Sequence, residues 1–327
     1  MPDLALVTGA TGFVGSHLSE RLVADGYAVR AMARASSDTT HLAALGVEIV
    51  HADLLDEDAV GRTVDGCTHV YHLAAATARS HPSTEDYRVI NETGTRHMTQ
   101  ASVAAGIRRF VFASTLGGFG RVPQPPADER TPPQPNTAYR ISKWRAEQIV
   151  HDAVKSQGLP AVIARLPSML GARARGWLPW VRDIAAGRVF VVGSGSNRVP
   201  LTAVSDAVDA LRLCAEIPGI EGRTYLFTGP DCVSINRAIA AIARSLDVSA
   251  TPRRLPALPL RLYHRLGDAL YRRLGLSLPR THALEFFQAD RAFSIERARR
   301  ELGYDPRVSI EDAMQQTVNW YLQEGLL

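Results

Sequence analysis

Short apolar runs alternate with segments of helical spacing along the first half of the 327-residue chain. The apolar runs predict strands at about 4–8, 27–33, 47–51, 68–73, 109–114 and 160–166. Helical spacing predicts helices at about 13–25, 56–63, 85–106 and 138–157. Such alternation is typical of a parallel sheet with helices on both faces, so the sequence predicts a doubly wound α/β fold.

The pattern becomes less regular in the second half of the chain. A Gly/Arg-rich loop spans 171–176, a Gly/Ser loop spans 193–196, and prolines punctuate the stretch from Thr251 to Arg280. Earlier, the segment 121–135 holds six prolines in fifteen residues. Prolines at this density exclude a helix or a central strand. We expect this segment either at the mouth of a site or as a plain surface connection.

A glycine loop lies between the first predicted strand and the first predicted helix. Closely spaced glycines let the backbone turn sharply and approach a pyrophosphate, which then faces the free N–H groups at the start of the helix. The strand, turn and helix context therefore predicts a dinucleotide site. Its residues are Gly9, Thr11, Gly12, Phe13, Val14 and Gly15.

Tyr139 and Lys143 are four residues apart in the predicted helix 138–157 and therefore share one face of it. A nearby ammonium favours the phenolate, so we expect the pKa of Tyr139 to fall from about 10 toward the working pH. Such a tyrosine can exchange a proton with a carbonyl or alcohol. A tyrosine and a lysine four residues apart also occur as solvated pairs on the surface of helices. The glycine loop in the same chain is the reason to favour a catalytic pair.

The spacing of the glycines and several ordered motifs resemble the extended short-chain dehydrogenase/reductase family, also known as the NAD-dependent epimerase/dehydratase superfamily. Within it, the N-terminal half is similar to dihydroflavonol reductases and the C-terminal half to 3β-hydroxysteroid dehydrogenases. The resemblance covers nearly the whole chain. The motifs are Asp53–Leu54, His72–Ala75, Asn91–Thr95, Phe112–Thr115 and Glu301–Pro306.

This resemblance implies a Rossmann-type dinucleotide-binding domain over 1–166, to which segments near 200–228 return, and a smaller substrate-binding lobe mainly over 167–327. It also implies that Thr115 holds the substrate oxygen, that Tyr139 is the acid/base, and that Lys143 tunes the phenol and holds the nicotinamide ribose. Asn91 supports the lysine through a water. Ser114 is the alternative to Thr115, and strand alternation points the two side chains to opposite faces.

Further cofactor contacts are expected where the strands end, because ligands of such sheets bind outside the carboxyl ends of the strands. Ala33 stands at the end of the second strand, where an NAD enzyme usually has an acid, and Arg34 and Ser36 follow it. NADP(H) is therefore favoured and NAD(H) is the alternative. Asp53 either accepts from the adenine amino group or caps the next helix. The remaining expected contacts are Leu54, Ala74, Ala75, Pro167, Tyr139 and Lys143.

The predicted reaction is the interconversion of a secondary alcohol and a ketone on a steroid-, flavonoid- or lipid-like substrate. Leu116 and Gly117 stand where dehydratases of the family carry acids, which argues against dehydration. The alternative is a sugar-nucleotide epimerase using the same Tyr/Lys pair; Ser168 weakens it, although Arg173, Arg175 and Arg198 offer phosphate ligands. A second alternative is a non-catalytic protein that senses NADP.

Composition adds limits on partners and location. The three cysteines have neither Cys-x-x-Cys spacing nor an even count, so no metal site and no disulfide framework is predicted, and a cytoplasmic location is expected. The net charge of +4 is concentrated in 251–280, which carries seven arginines and one acid. We expect that segment to be a lid, a peripheral membrane contact or an ordinary packed helix pair. Nucleic-acid binding is not predicted. The family resemblance implies a homodimer through helices such as 85–106 and 138–157, with a monomer as the alternative.

Overall fold

The computed structural model describes residues 3–77, 83–120, 122–274 and 289–327. The strands are β1 Leu4–Thr8, β2 Ala28–Ala33, β3 Glu48–His51, β4 His69–His72, β5 Arg109–Thr115, β6 Ala161–Leu166, β7 Ser168–Leu170, β8 Phe190–Val192, β9 Arg198–Val199, β10 Leu201–Ala203, β11 Thr224–Leu226, β12 Val233–Ser234 and β13 Arg253–Leu255. The helices are α1 Phe13–Ala24, α2 Thr40–Ala44, α3 Glu57–Val64, α4 Thr84–Arg88, α5 Gly94–Ala104, α6 Ala138–Gln157, α7 Leu178–Ala185, α8 Val204–Glu216, α9 Ile235–Ser245, α10 Ala257–Leu274, α11 Glu296–Leu302 and α12 Ile310–Gln323.

Seven strands form one parallel sheet in the order β11-β6-β5-β4-β1-β2-β3. The chain builds outward from β1 to β3 and then restarts on the other side of β1 with β4, so the topological switch lies between β1 and β4. This is the order of a doubly wound Rossmann sheet, and the predicted α/β class is confirmed. The crevice above the switch is where such sheets bind their ligands.

Helices cover both faces of the sheet and supply its two apolar layers. On one face α1 and α8 bury Leu18, Leu22 and Leu211 against the strands. On the other face α3, α5 and α6 bury Val60, Met98 and Val150, among other residues. Full burial of each such aliphatic side chain is worth about 1.5–3 kcal/mol. These layers fix the strands whose carboxyl ends carry the predicted site.

The helix predicted over 85–106 is interrupted. A π-helical turn, Val89–Thr93, separates α4 from α5 and contains Asn91. A turn of this kind inserts one extra residue and is frequent at functional sites. Helical periodicity alone did not indicate this turn, in which the Asn91 side chain bonds to the segment after β4 and to α6.

Parts of the second half of the chain share a separate core, here called the smaller lobe, whereas β11, α8 and α11 of that half pack with the main sheet. Helices α9 and α12 pack together and bury Ile239, Ile242 and Val318. Two-residue and three-residue strands pair as β7 with β10, β9 with β12 and β8 with β13. Gly171 of the loop after β7 donates its N–H to Thr317 Oγ1 on α12, at 2.8 Å. Within the described ranges, helices that combine the length and the hydropathy needed to cross a bilayer are absent.

Candidate active site

The glycine loop closes tightly between β1 and α1. Gly9 has a φ of +70°, and a Cβ there would lie 2.9 Å from the backbone nitrogen of Ala74. A Cβ on Gly15 would overlap the carbonyl oxygen of Gly9. Both positions therefore exclude any residue with a side chain. The backbone of the loop packs directly against the backbone at the end of β4.

The start of α1 is free to receive an anion. Gly12 is the N-cap, it has no side chain to bond the first-turn N–H groups, and that turn contains no acidic residue. Thr11 and Gly12 are exposed, whereas Phe13 and Val14 are half-buried. Helix N-termini of this kind bind phosphates through free N–H groups and the positive end of the helix dipole. The cradle therefore fits the pyrophosphate of a dinucleotide.

The residues after β2 and β3 lie next to this loop, because β1 pairs with β2 and β2 with β3. Arg34 and Ser36 are both exposed in the turn after β2. Asp53 is exposed, and one of its carboxylate oxygens accepts from the N–H of Leu55 at 2.9 Å. The N-cap of α3 is Asp56, so the alternative role of Asp53 as that cap is wrong.

Leu54 and the residues after β4 and β6 complete the expected cofactor contacts. Leu54 is buried beneath Gly94, and a Cβ on that glycine would lie 3.0 Å from the leucine Cβ. Ala74 and Ala75 are half-buried just after β4, and Pro167 is buried between β6 and β7. All of them follow carboxyl ends of strands of the main sheet, as the sequence predicts.

A buried hydrogen-bond chain, which the sequence did not indicate, runs from β1 to the π-helical turn. Thr8 Oγ1 accepts from the N–H groups of Leu73 and Ala74, at 3.1 Å each, and lies 2.8 Å from His72 Nδ1. His72 Nε2 lies 3.1 Å from Thr95 Oγ1, which donates to the carbonyl oxygen of Asn91 at 2.6 Å.

Only one arrangement of protons satisfies this chain. Thr95 gives its hydroxyl hydrogen to the carbonyl of Asn91, so His72 must donate from Nε2 and accept at Nδ1 from Thr8. Burial lowers the pKa of His72 to about 3, which keeps the imidazole neutral. These hydrogen bonds therefore link β1, which leads into the glycine loop, to the π-helical turn that carries Asn91. All of the groups in the hydrogen-bond chain are neutral.

The side chain of Asn91 is engaged within the protein. Its Oδ1 accepts from the N–H of Ala76 at 2.7 Å, and its Nδ2 donates to Ser142 Oγ at 2.9 Å. Ser142 in turn donates to the carbonyl of Tyr139 at 2.9 Å. Asn91 thus connects the segment after β4 to the helix that carries the tyrosine and the lysine. Its predicted water link to Lys143 stays a prediction.

Ser114 and Thr115 point their hydroxyls to different partners. Ser114 is buried and donates to Glu147 on α6 at 2.5 Å. Thr115 is half-buried at the end of β5, and its Oγ1 accepts from the N–H of Gly117 at 3.0 Å, which leaves its hydrogen for another acceptor. This division leaves Thr115 as the hydroxyl suited to a substrate oxygen.

The turn after Thr115 carries no side chain able to act as an acid. Leu116 is buried with Phe119 and Phe293, and Gly117 has none. The proline-rich segment lies against this turn, because Gln134 donates its N–H to the carbonyl of Gly118 at 3.0 Å. Residue 121 of that segment lies outside the described residues.

Tyr139 lies in the first turn of α6, two residues after the N-cap Thr137, and its ring is 5.8 Å from that of Tyr87. Burial raises the pKa of the phenol to about 12. The predicted lowering by Lys143 is therefore wrong for the protein alone, because loss of water around the phenol outweighs the attraction of nearby cations. The tyrosine is protonated at neutral pH and is equipped as an acid.

Lys143 is buried one helical turn further along α6. Its ammonium lies 4.2 Å from the centre of the Phe112 ring. Burial lowers its pKa to about 8, and the charge of Glu147 opposes that shift. A buried amine with such a pKa is mostly protonated at neutral pH and ready to donate to hydroxyl groups of a ligand.

Glu147 and Arg165 form a buried ion pair that sequence reasoning missed. Their closest nitrogen and oxygen atoms are 2.6 Å apart, and Arg165 stacks over Phe119 at 5.0 Å. Glu147 is four residues after Lys143, so helical spacing alone offered a signal for a second charged residue on that face. The ion pair ties α6 to β6 and fixes the helix that carries Tyr139.

The three arginines of the smaller lobe that the sequence offered to a diphosphate are each engaged elsewhere. Arg173 donates to both carboxylate oxygens of Glu20, at 2.7 and 2.9 Å. Arg175 lies 5.7 Å from the centre of a tryptophan ring on α12. Arg198 donates to Asp290 at 2.9 and 2.6 Å. None of these contacts resembles a phosphate cradle.

Several known proteins are similar to this chain in sequence or in fold. The family described as NAD dependent epimerase/dehydratase family matches residues 5–225. Sterol demethylase protein B of Methylococcus capsulatus is 32% identical over 345 residues, covering 98% of this chain and 99% of that protein. A 2-alkyl-3-oxoalkanoate reductase of Stenotrophomonas maltophilia is 32% identical over 331 residues, covering 95% and 97%. The crystal structure of gox2253 superposes with a TM-score of 0.86 at 28% identity, covering 99% of each chain.

Proposed function

Because the chain belongs to the NAD dependent epimerase/dehydratase family of NAD(P)-dependent enzymes, we propose that it is an NADP(H)-preferring oxidoreductase that interconverts a secondary alcohol and a ketone on a hydrophobic substrate. Two relatives support this substrate class. One is named for a sterol and the other for reduction of a 3-oxoalkanoate, and both kinds of molecule are largely apolar.

The described side chains divide the work of ketone reduction. A nicotinamide dinucleotide held at the glycine loop would provide hydride chemistry for a carbonyl carbon. Thr115 holds the carbonyl oxygen through its free hydroxyl hydrogen, and Tyr139 gives that oxygen its phenolic proton. Lys143 donates to the nicotinamide ribose and stabilises the phenolate that remains. In the oxidative direction, Tyr139 takes the proton back from the alcohol.

A ketone substrate is favoured over a sugar nucleotide because Arg173, Arg175 and Arg198 contact other groups of the protein. An epimerase must hold the diphosphate of its substrate, and charge-assisted bonds from arginine are the usual means. Here two of the three arginines are paired with carboxylates, and the third is exposed with its guanidinium 5.7 Å from the centre of a tryptophan ring. A sugar-nucleotide diphosphate would compete with Glu20 and Asp290 for Arg173 and Arg198.

Replacing Arg34 by aspartate is expected to weaken NADPH binding about 10- to 100-fold, because an exposed guanidinium at the end of β2 would pair with the 2′-phosphate. NADH binding should be unchanged or tighter, since a carboxylate suits the ribose hydroxyls. Fluorescence titration with both dinucleotides measures the two affinities. Arg62→Ser, at an exposed position on α3, is the matched control; equal loss for NADPH and NADH in Arg34→Asp would contradict the NADP(H) preference.

Ketone reduction is expected to fall as the pH rises through about 8. Lys143 is charged below its pKa of about 8 and neutral above it, whereas Tyr139, with a pKa of about 12, keeps its proton throughout this range. The value of kcat/KM for NADPH reports groups of the free enzyme and should show a single descending limb. A profile that stays flat to a pH of about 10 would contradict the role given to Lys143.

A panel of hydrophobic ketones with NADPH tests the proposed function. Consumption of NADPH, with the matching alcohol identified by mass spectrometry, is the expected result. UDP-sugars incubated in parallel test the epimerase alternative by chromatography of the sugar products. Epimerisation of a UDP-sugar without consumption of any ketone would replace the proposal. A homodimer and a cytoplasmic location stay predictions, which sedimentation and cell fractionation can test.

A further inference from the structure

Helix α10 exposes a row of leucines. Leu258, Leu262 and Leu266, here called the leucine face, recur every four residues and therefore share one side of the helix. Their exposed fractions are 67%, 58% and 55%. Most other large apolar side chains of the described residues are less exposed than these three. The exposed apolar surface is therefore concentrated on this face rather than scattered over the protein.

The exposed apolar surface continues beyond the leucine face. Tyr263 on the same helix is 38% exposed, and Leu255 on β13, just before α10, is also 38% exposed. The helix is anchored to the smaller lobe through β13, which pairs with β8. An exposed apolar row on an anchored element is typical of a surface that binds a partner.

The charge around this face identifies the partner. Residues 251–274 contain six arginines and a single acid. Arg253 and Arg254 on β13, just before α10, are exposed, and so is Arg273, which lies seven residues after Leu266 and therefore on the same side of the helix. A second copy of this chain would bring like charges together and oppose the apolar contact. A bilayer with anionic headgroups offers both an apolar interior and negative charge.

We propose that the leucine face and the adjoining arginines dock this protein on the surface of anionic lipid membranes. The leucines enter the boundary between headgroups and acyl chains, and Arg253, Arg254 and Arg273 pair with lipid phosphates. The helix lies in the plane of the membrane and does not span it. The remaining part of the predicted basic segment, 275–280, lies outside the described residues.

This docking stands apart from the proposed reaction, since vesicle binding is measured without substrate or dinucleotide. The purified full-length protein is centrifuged with vesicles of phosphatidylcholine and phosphatidylglycerol and with vesicles of phosphatidylcholine alone. We expect sedimentation with the mixed vesicles that weakens with added salt. The double variant Leu262→Asp/Leu266→Asp should lose about tenfold or more of this binding. Leu322→Asp is the matched control, because Leu322 is as exposed as Leu266, at 55%.

A second variant keeps the test independent of folding. Arg253→Ser/Arg254→Ser changes two exposed side chains and should lower binding to mixed vesicles about twentyfold at low salt, since each arginine contributes about a fivefold gain near an anionic surface. Equal binding of wild type and both variants would overturn the proposal. A change of oligomeric state in Leu262→Asp/Leu266→Asp without any vesicle binding by the wild type would also overturn it, in favour of contact between two copies.

Discussion

Tyr139→Phe is expected to lower ketone reduction about a thousandfold, because it removes the only proton that this account gives to the substrate oxygen. The ring, the helix start at Thr137 and the contact with Tyr87 all remain, so the fold and the dinucleotide cradle should be unaffected. Stopped-flow measurement of NADPH oxidation and fluorescence titration of NADPH report the two properties separately. The affinity for NADPH should change less than about tenfold.

Tyr87→Phe is the matched control for this variant. It removes a hydroxyl from the neighbouring ring, 5.8 Å from that of Tyr139, and leaves the proton donor in place. It should therefore keep most of the reductase activity. Comparable losses in Tyr87→Phe and Tyr139→Phe would show that the hydroxyls shape the pocket and would remove Tyr139 from its acid role.

Lys143→Met is expected to abolish turnover and to make the folded protein more stable at neutral pH. Burial lowers the pKa of Lys143 from 10.5 to about 8, so holding its charge costs at most about 3 kcal/mol of folding free energy. Methionine fills the same space without a charge, and Glu147 keeps Arg165 and Ser114 as partners. Calorimetry should show a Tm higher by up to about 4 °C, and the NADPH assay should show loss of reduction.

The pH dependence of stability gives the same test in the wild type. The pKa of Lys143 is lower in the folded than in the unfolded protein. The cost of burying its charge is therefore fully present below a pH of about 8 and disappears as the pH rises to about 10.5. Stability from this group therefore rises with pH across that window, and Lys143→Met should lose this rise. Lys155→Met, at an exposed position on the same helix, should change neither activity nor Tm. A lower Tm in Lys143→Met would mean that the lysine is a structural residue.

Local sequence signals were enough for the sheet and for the residues at its edge. Strand runs, the glycine spacing and the ends of the strands each depend on neighbours a few residues away, and they located Gly9, Arg34 and Thr115 correctly at carboxyl ends of strands. These features are determined by short-range geometry.

Contacts between distant segments could not be predicted from the sequence. His72 meets Thr8 and Thr95 only because β1 and β4 are neighbours and the π-helical turn folds over them. Likewise, the pKa of Tyr139 depends on how much water the surrounding protein removes, and four-residue spacing to a lysine carries no information on that. The exposure of the leucine face on α10 also required the packed lobe, since its periodicity equally suits a buried helix.

Transfer of deuterium from 4-deuterated NADPH to a reduced ketone tests the central claim most directly. Each stereoisomer of the labelled dinucleotide is incubated with the purified protein and a hydrophobic ketone, and the alcohol is analysed by mass spectrometry and NMR. We expect one stereoisomer to place its deuterium on the carbinol carbon, with one NADPH consumed per alcohol formed. An unlabelled panel of ketones left unchanged, together with a UDP-sugar epimerised without net consumption of the dinucleotide, would contradict the account.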